Sequence, residues 1–495
     1  MPQTTADITR VIDTHSEIIV SDMLHDLIDA HKLEEGGKQK DFYERYKQTE
    51  VGVPVFTKPF QNYEKVTEKI PNDFFGDIVD LKTGYMGNEI VIGIDSRQVG
   101  DAEREEQTLF LETWAKREST TDKNSELVKM AANTGKSYRL LFVSDDRAVG
   151  EERPRVGVQN LDPWETVVYR DGTIQTPTFA MHYFTVTEKQ FSMNPNSERT
   201  QAIPPKEKLR VEWYDGENIT YYRENDDSRF VLDESVVEGG VQKHLFSGVP
   251  IIEFKNNEEG LAEAKKVTDL IDAYDNIISD STSEVEQLRM AYMWARGAGM
   301  KLDNDFEQQL QQTGIWPLPA DGEIGFAGKN LGGAAGFVTS MLDEIRNNIY
   351  SFSKSIDLSH DRGGGMRVIG WQIAMLRLEM SAQVTERKFK RSYLQQYQLL
   401  SQYWQTFENV TIDPLRLKFI FTRRFPKDVD QEIDTLIKAI EVMPLEDAYA
   451  MMSFIENPAE LAEKFRDEKP EMAGIMTALD ETPDDETSDD ENAES

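Results

Sequence analysis

The apolar residues of this chain follow two periods, and the places where one gives way to the other divide it. Residues 7–47 keep mainly helical spacing, with Ile8, Val11, Ile12 and Ile19 followed by Met23, Leu24, Leu27 and Ile28. KLEEGGKQKD, from Lys32, is expected to break that helix, because adjacent glycines are poor helix formers, and Phe42, Tyr43 and Tyr46 begin another short run. Residues 69–88 predict a helix starting near Pro71, where proline's missing N–H would be unpaired in any case, and residues 101–134 predict more helix. At Ser137 the period shortens to two. SYRLLFVSD, ETVVYRD, TFAMHYFTVT, LRVEWYD, ITYYREN, RFVLDE and PIIEF are rich in β-branched and aromatic residues and separated by turn-forming pairs. They predict a β-rich block over 137–254, antiparallel because its connections are too short for helical crossovers.

After Phe254 helical spacing returns. Val267, Leu270, Ile271, Tyr274, Ile277, Ile278, Ser281, Val285, Leu288 and Tyr292 make one stripe. A helix of roughly 30 residues there would span about 45 Å, long for one compact core, so its stripe needs a partner along its length. An insert follows, with a short helix, a Trp-Pro-Leu-Pro turn, a strand and a glycine-rich exit, and then a shorter helix from Phe337 to about Ser355. LSHDRGGGMRVIGW, Leu358 to Trp371, comes next; Gly363, Gly364 and Gly365 predict a flexible break between two helices. Beyond it Met366, Ile369, Ile373, Leu376, Met380 and Val384 continue into Tyr393, Tyr397, Leu400 and Trp404 as one apolar stripe. PLRLKFIFTRRFP, Pro414 to Pro426, predicts a strand, and residues 427–479 short helices.

Composition narrows the function classes. An apolar content of 39% supports real cores, and 495 residues suffice for about three domains. The absence of cysteine excludes disulfides, thiolate zinc sites and cysteine nucleophiles. No stretch approaches the roughly 18 apolar residues of a membrane span, and the N-terminus lacks a secretory pattern, so no membrane partner is expected. The net charge of −35 argues against gripping nucleic acid over the whole surface, since such binding rests on cations neutralising phosphate. A local site escapes that argument because salt screens charges beyond about 8 Å. Nine of the sixteen residues from Asp480 to Ser495 are acidic and none is basic, which predicts a solvated, disordered tail.

Candidate chemistry is sparse. Gly135-Lys136-Ser137 resembles the end of a phosphate-binding loop, but Met130 stands where that pattern needs glycine and a strand follows in place of a helix. His15, His25, His31, His182, His244 and His360 never fall in metal-binding spacing, and no metal or cofactor is expected. Residues 354–391 carry a local cationic surplus: Lys354, Arg362, Arg367, Arg377, Arg387, Lys388, Lys390 and Arg391 against Asp357, Asp361, Glu379 and Glu386. Those cations suit either a neighbouring acidic subunit or DNA.

The order of features resembles the portal proteins, the head-to-tail connectors of tailed double-stranded DNA bacteriophages. The resemblance rests on KIPNDFFGDIVDLKTGYMGN, NTGKSYRLLFVSDD with DPWETVVYRD, IIEFKNNEEG leading into VTDLIDAYDNIISDSTSEVEQL, DEIRNNIYSFSKSIDLS and LKFIFTRRFPKDV, over most of residues 69–460. RVIGWQIAML departs from the Ser-Gly-x-Ala-Leu pattern common after the family's loop. The resemblance implies an α+β, mainly helical portal fold assembled as a ring of about twelve. It implies a wing over 1–260, with its β-rich part at 137–254, stem helices over 261–289 and 337–357, and a small α/β clip over 290–336. A tunnel loop over 358–366, a long wing helix and strand over 367–426, a helical crown over 427–479 and the acidic tail complete it.

On that resemblance Lys354, His360, Asp361, Arg362, Gly363, Gly364, Gly365, Met366 and Arg367 are the DNA-tunnel candidates, and Trp294, Phe306, Trp316 and Phe326 the clip residues that dock partners. It implies no catalysis and no cofactor. The expected partners are further copies of the chain, double-stranded DNA passing without sequence specificity, the terminase large subunit, a head–tail adaptor, and major capsid and scaffold proteins. The expected location is the capsid vertex of the virion, and the host cytoplasm during assembly. A DNA-processing enzyme of phage packaging and a non-viral helical scaffold are the alternatives.

Overall fold

A first helix, α1 (Ser21–His31), does not stop at the glycine pair. It widens into a π-helical stretch, Lys32–Gly36, and continues as α2 (Gly37–Tyr46). The expected break is therefore corrected, and packing explains the glycines. A Cβ on Gly36 would lie 2.8 Å from the His31 ring and 3.1 Å from the Trp164 carbonyl oxygen. The computed structural model describes residues 21–57, 69–86, 90–94, 101–144, 155–170, 176–188, 191–192, 201–202, 206–289, 293–296, 323–326, 331–357 and 368–423, with Leu436, Ile440, Ala448 and Tyr449 singly. The chain divides into two compact units, residues 1–423 and 424–495. The four described residues of the second are helical.

A single turn, α3 (Pro54–Thr57), precedes α4 (Phe74–Met86), which starts three residues beyond Pro71. Then comes a strand that the periodicity does not announce, β1 (Ile90–Ile94). Helices α5 (Asp101–Arg117) and α6 (Thr120–Thr134) lead into the sheets. Gly135 ends α6 at φ +92°, and a Cβ there would fall 2.0 Å from the Gly260 carbonyl oxygen. Only glycine permits both the left-handed turn and that approach.

The β-rich block is antiparallel throughout its described ladders, as its short connections require. Its strands are β2 (Lys136–Ser144), β3 (Arg155–Leu161), β4 (Thr166–Tyr169), β5 (Phe179–Glu188), β6 (Phe191–Ser192), β7 (Gln201–Ala202), β8 (Lys206–Tyr214), β9 (Asn218–Glu224), β10 (Phe230–Leu232), β11 (Val241–Lys243) and β12 (Ile251–Lys255). One sheet has the order β12-β2-β3, with Tyr138 opposite Leu161 and Leu140 opposite Ile251. The larger sheet has the order β10-β9-β8-β5-β4, with β11 also on β9. Alternation decides its faces. Met181, Tyr183, Val211 and Trp213 meet Leu24, Leu27 and Ile28 of α1, whereas Ala180 and Tyr214 face Leu140, Leu161 and Ile251 of the smaller sheet.

A 3-10 turn, Glu263–Val267, opens α7 (Thr268–Arg289), so Val267, the first residue of the expected stripe, lies in that turn. Strands β13 (Met293–Arg296) and β14 (Glu323–Phe326) pair with each other. Helix α8 (Leu331–Ser353) begins six residues before Phe337, taking in the expected glycine-rich exit. Ile349 of α8 packs with Val267, Ile271 and, from α4, Phe75, Ile78 and Val79.

Helix α9 (Val368–Tyr403) runs 36 residues, about 54 Å, before a π-helical turn at Trp404–Glu408. Its second half buries Phe389, Tyr393, Tyr397 and Leu400, and the following turn buries Trp404, against Trp114, Leu141, Phe254 and β15 (Leu417–Phe421). Each such side chain contributes roughly 1.5–3 kcal/mol by leaving water. The first half corrects the expected stripe. Leu376 and Met380 are exposed, 56% and 58%, while Leu378, Ser381, Ala382 and Thr385 face inward. Two hydroxyls on the buried face hide it from any apolar pattern. Strand β15 pairs with β1, Ile90 opposite Phe421 and Ile94 opposite Leu417.

Candidate functional site

A buried polar network lies where α4, the β12–α7 connection and α9 meet. Lys82 occupies the buried face of α4, in step with Phe75, Ile78, Val79 and Met86. Its ammonium is 1% exposed and donates to Glu263 Oε2 at 2.6 Å, Asn256 Oδ1 at 2.8 Å and Ser381 Oγ at 3.2 Å. Ser381 donates to Glu263 Oε1 at 2.5 Å. Asn256 donates to Glu263 Oε2 and to the Leu261 carbonyl, at 2.9 and 3.0 Å, and Thr385 donates to the Asn256 carbonyl at 2.8 Å. Every polar group is matched, which makes a buried charge pair tolerable. Burial alone would raise the Glu263 carboxyl, but Lys82 and the neighbouring hydrogen bonds outweigh it and hold the group below its usual range. Burial lowers the Lys82 ammonium despite Glu263.

This joint gives NNEEG a physical role. Asn256 is the hub just described, Asn257 closes a turn on both the N–H and the carbonyl of Leu261, and Glu258 pairs with Lys388 of α9. Gly260, at φ +66°, makes the close approach to Gly135. Lys82 and Glu263 escape sequence reasoning as a site. The signal for Lys82 is a lysine on the apolar stripe of an otherwise apolar-faced helix.

Gly135-Lys136-Ser137 lies beside the joint and its polar groups are engaged within the fold. Lys136 Nζ sits 2.5 Å from Glu35 Oε1 and 3.5 Å from Glu253 Oε1, and Ser137 donates to the Leu127 carbonyl at 2.9 Å. His31, bonded to the Tyr183 hydroxyl at 2.8 Å, is pushed down to about 4 by burial and by nearby Lys136. His25 meets the Ser228 carbonyl, His182 meets Glu212, and His244 meets the Asp215 carbonyl. His15 and His360 lie outside the described residues.

The roots of the glycine loop are fixed. Lys354 ends α8 in the left-handed region, φ +61°, with its side chain exposed, and Ile356 is buried. Asp357 pairs with Arg346, Nε to Oδ2 2.8 Å, and Arg377 of α9 donates to Ser351 of α8 at 3.0 Å. Of the tunnel candidates, His360, Asp361, Arg362, Gly363, Gly364, Gly365, Met366 and Arg367 lie outside the described residues. Trp294 stands opposite Gly325, and Phe326 opposite Met293, in the β13–β14 ribbon; Phe306 and Trp316 are outside the description. The cationic surplus is partly neutralised within the chain: Lys388 by Glu258, and Lys390 by Glu386 at 2.6 Å.

Fold and joint together define an α+β chain whose long helices are keyed to a sheet by buried polar contacts. The chain belongs to the family described as phage portal protein, SPP1 Gp6-like, which matches residues 25–474. It is similar to the portal protein of Bacillus phage SPP1, 25% identical over 336 residues, covering 64% of this chain and 63% of that protein. It is also similar to the portal protein of Clostridium phage phiCD119, 19% identical over 246 residues, covering 48% of this chain and 52% of that protein. The matched stretches thus span about half to just under two thirds of these relatives' lengths. Among the described residues no helix is long and apolar enough to cross a membrane.

Proposed function

We propose that copies of this chain close into a ring of about twelve around a channel at one capsid vertex, through which double-stranded DNA enters during packaging and leaves at ejection. The family match over residues 25–474 carries this reading. The wing is assigned to 1–260, the stem to 261–289 and 337–357, the clip to 290–336, the tunnel loop to 358–366, the long wing helix and strand to 367–426, and the crown to 427–479. Lys354, His360, Arg362 and Arg367 face the DNA. The clip, with Trp294, Phe306, Trp316 and Phe326, docks the terminase large subunit and later the head–tail adaptor; major capsid and scaffold proteins meet the outside. The chain performs no catalysis. Its copies assemble in the host cytoplasm before they become part of the virion.

Two physical features support the reading. Phe352 on α8 and Leu376 and Met380 on α9 are large, apolar and more than half exposed beside the roots of the glycine loop, and a neighbouring copy would cover them. The net charge of −35 suits a wall that DNA must slide past, because each phosphate–cation contact deepens a well that moving duplex has to leave. Electron microscopy of the purified protein is expected to show closed rings with an open channel wide enough for duplex. A stable monomer under all assembly conditions would refute the assignment.

A further inference from the structure

The two sheets touch through Leu140, Leu161, Ala180, Tyr214 and Ile251 and then splay apart. The gap is a cavity of about 520 Å³. Phe142, Leu161, Phe184, Ile219 and Tyr221 supply its apolar and aromatic walls, and Glu212 and His182 its floor. Cross-strand register explains the floor, since His182 on β5 and Tyr221 on β9 both stand opposite Glu212 on β8. Glu212 is held in place from one side. The Tyr214 hydroxyl donates to its Oε2 at 2.8 Å, and His182 Nδ1 lies 3.3 Å from the same atom. Among the described residues both contacts fall on Oε2, which leaves Oε1 as the acceptor for an incoming donor. His244, on the same wall, is committed: its ring meets the Asp215 carbonyl and the Phe246 N–H.

We propose that this cavity docks an arginine or lysine side chain, flanked by an apolar residue, from a segment of a different protein, with Glu212 as the anchor. A half-buried carboxylate between aromatic faces rewards a cation with a charge-assisted hydrogen bond and cation–π contact together. The flanking apolar residue is called for by the rim. Leu245 lines the cavity and is 44% exposed. The source is a different, basic protein because this chain carries 90 acidic against 55 basic residues, a field that draws basic segments in. Lys243 also lines the cavity and opposes the cation.

The probe is acetyl-Leu-Arg-Phe-amide, titrated calorimetrically into the full-length protein in its assembled form, with acetyl-Leu-Gln-Phe-amide as the neutral control. The arginine peptide should bind about tenfold more tightly than the glutamine peptide, the margin expected of one hydrogen bond to a charged group. Glu212→Gln, which keeps the Tyr214 bond, should erase that margin. Lys243→Ala should widen it two- to threefold. Leu245→Ser, at an exposed position, should weaken both peptides several-fold with no change in melting temperature. Equal binding of the two peptides, no binding of either, or an arginine preference that survives Glu212→Gln would each overturn the proposal. Binding confined to unassembled chains would overturn it too, by giving the cavity to a second copy.

Discussion

Two cations, Lys82 and Arg139, are buried along the same long helix in opposite company. Lys82 meets a carboxylate, Glu263, plus Asn256 and Ser381. Arg139, 0% exposed on β2, has neutral company: it donates to Asn160 Oδ1 at 3.1 Å, Asn124 Oδ1 at 2.7 Å and Gln396 Oε1 at 3.4 Å, beside the Tyr393 and Tyr397 phenols, with its guanidinium 5.8 Å from the Phe254 ring centroid. Its Nη2 has no hydrogen-bond partner among the described residues. Both cations tie α9 to the sheet region, but they fail differently. Removing one member of a matched pair strands the other charge, whereas removing a cation from neutral amides also removes an uncompensated desolvation cost. The comparison separates a contact that holds two elements together from one that fills a position.

The largest effect should come from Lys82→Met. It leaves the Glu263 carboxylate buried without its partner, and urea unfolding should show a loss of about 3–5 kcal/mol. Adding Glu263→Gln should return roughly 1–3 kcal/mol of that, the range of coupling for residues in contact. A simple sum of the two single losses would erase the distinction drawn above. Arg139→Met should cost less, about 1–2 kcal/mol, because the amides left behind are neutral. A loss as large as that of Lys82→Met would show that the amide cage matters as much as the ion pair.

The smallest and most selective effect is in acid. The Glu263 carboxyl is held below its ordinary value of 4.5 in the folded chain, so the stability it contributes is fully present above pH 4.5 and disappears as pH falls through the lower folded value. Glu253, held down by Arg170 and Lys136 against its own burial, loses its contribution in the same direction. The measurement is therefore a difference. Melting temperatures of wild type and Glu263→Gln should converge as pH is lowered from 6 towards 3, while the gap between wild type and Arg139→Met stays constant.

What could be read without coordinates follows the same division. The β-rich block was legible because alternation along β5 and β8 survives wherever one face is apolar and the other is not. The second half of α9 was legible because Tyr393, Tyr397 and Leu400 really are its buried face, continued by Trp404 in the turn that follows. Its first half was misread because burial there is satisfied by Ser381 and Thr385, whose hydroxyls serve the joint, and the apolar Leu376 and Met380 are left outside. Strand β1 is five residues, IVIGI, paired with a partner more than 300 positions away, and no local pattern announces such a partner. The glycine pair looked like a terminus, but Gly36 is a clearance for the His31 ring and Gly37 one for the Lys32 carbonyl oxygen.

The register of the three-stranded sheet has one more consequence. Strand β3 ends at Leu161, opposite Tyr138, and β12 begins at Ile251, opposite Leu140, so both flank β2 at nearly the same height. The chain therefore leaves this sheet and re-enters it across two strand spacings, about 10 Å. The intervening segment, residues 162–250 with the strands of the larger sheet, therefore enters and leaves the frame at one place beside β2. Closely spaced entry and exit points are the geometry at which a change of length inside a segment is tolerated without displacing the strands on either side of it.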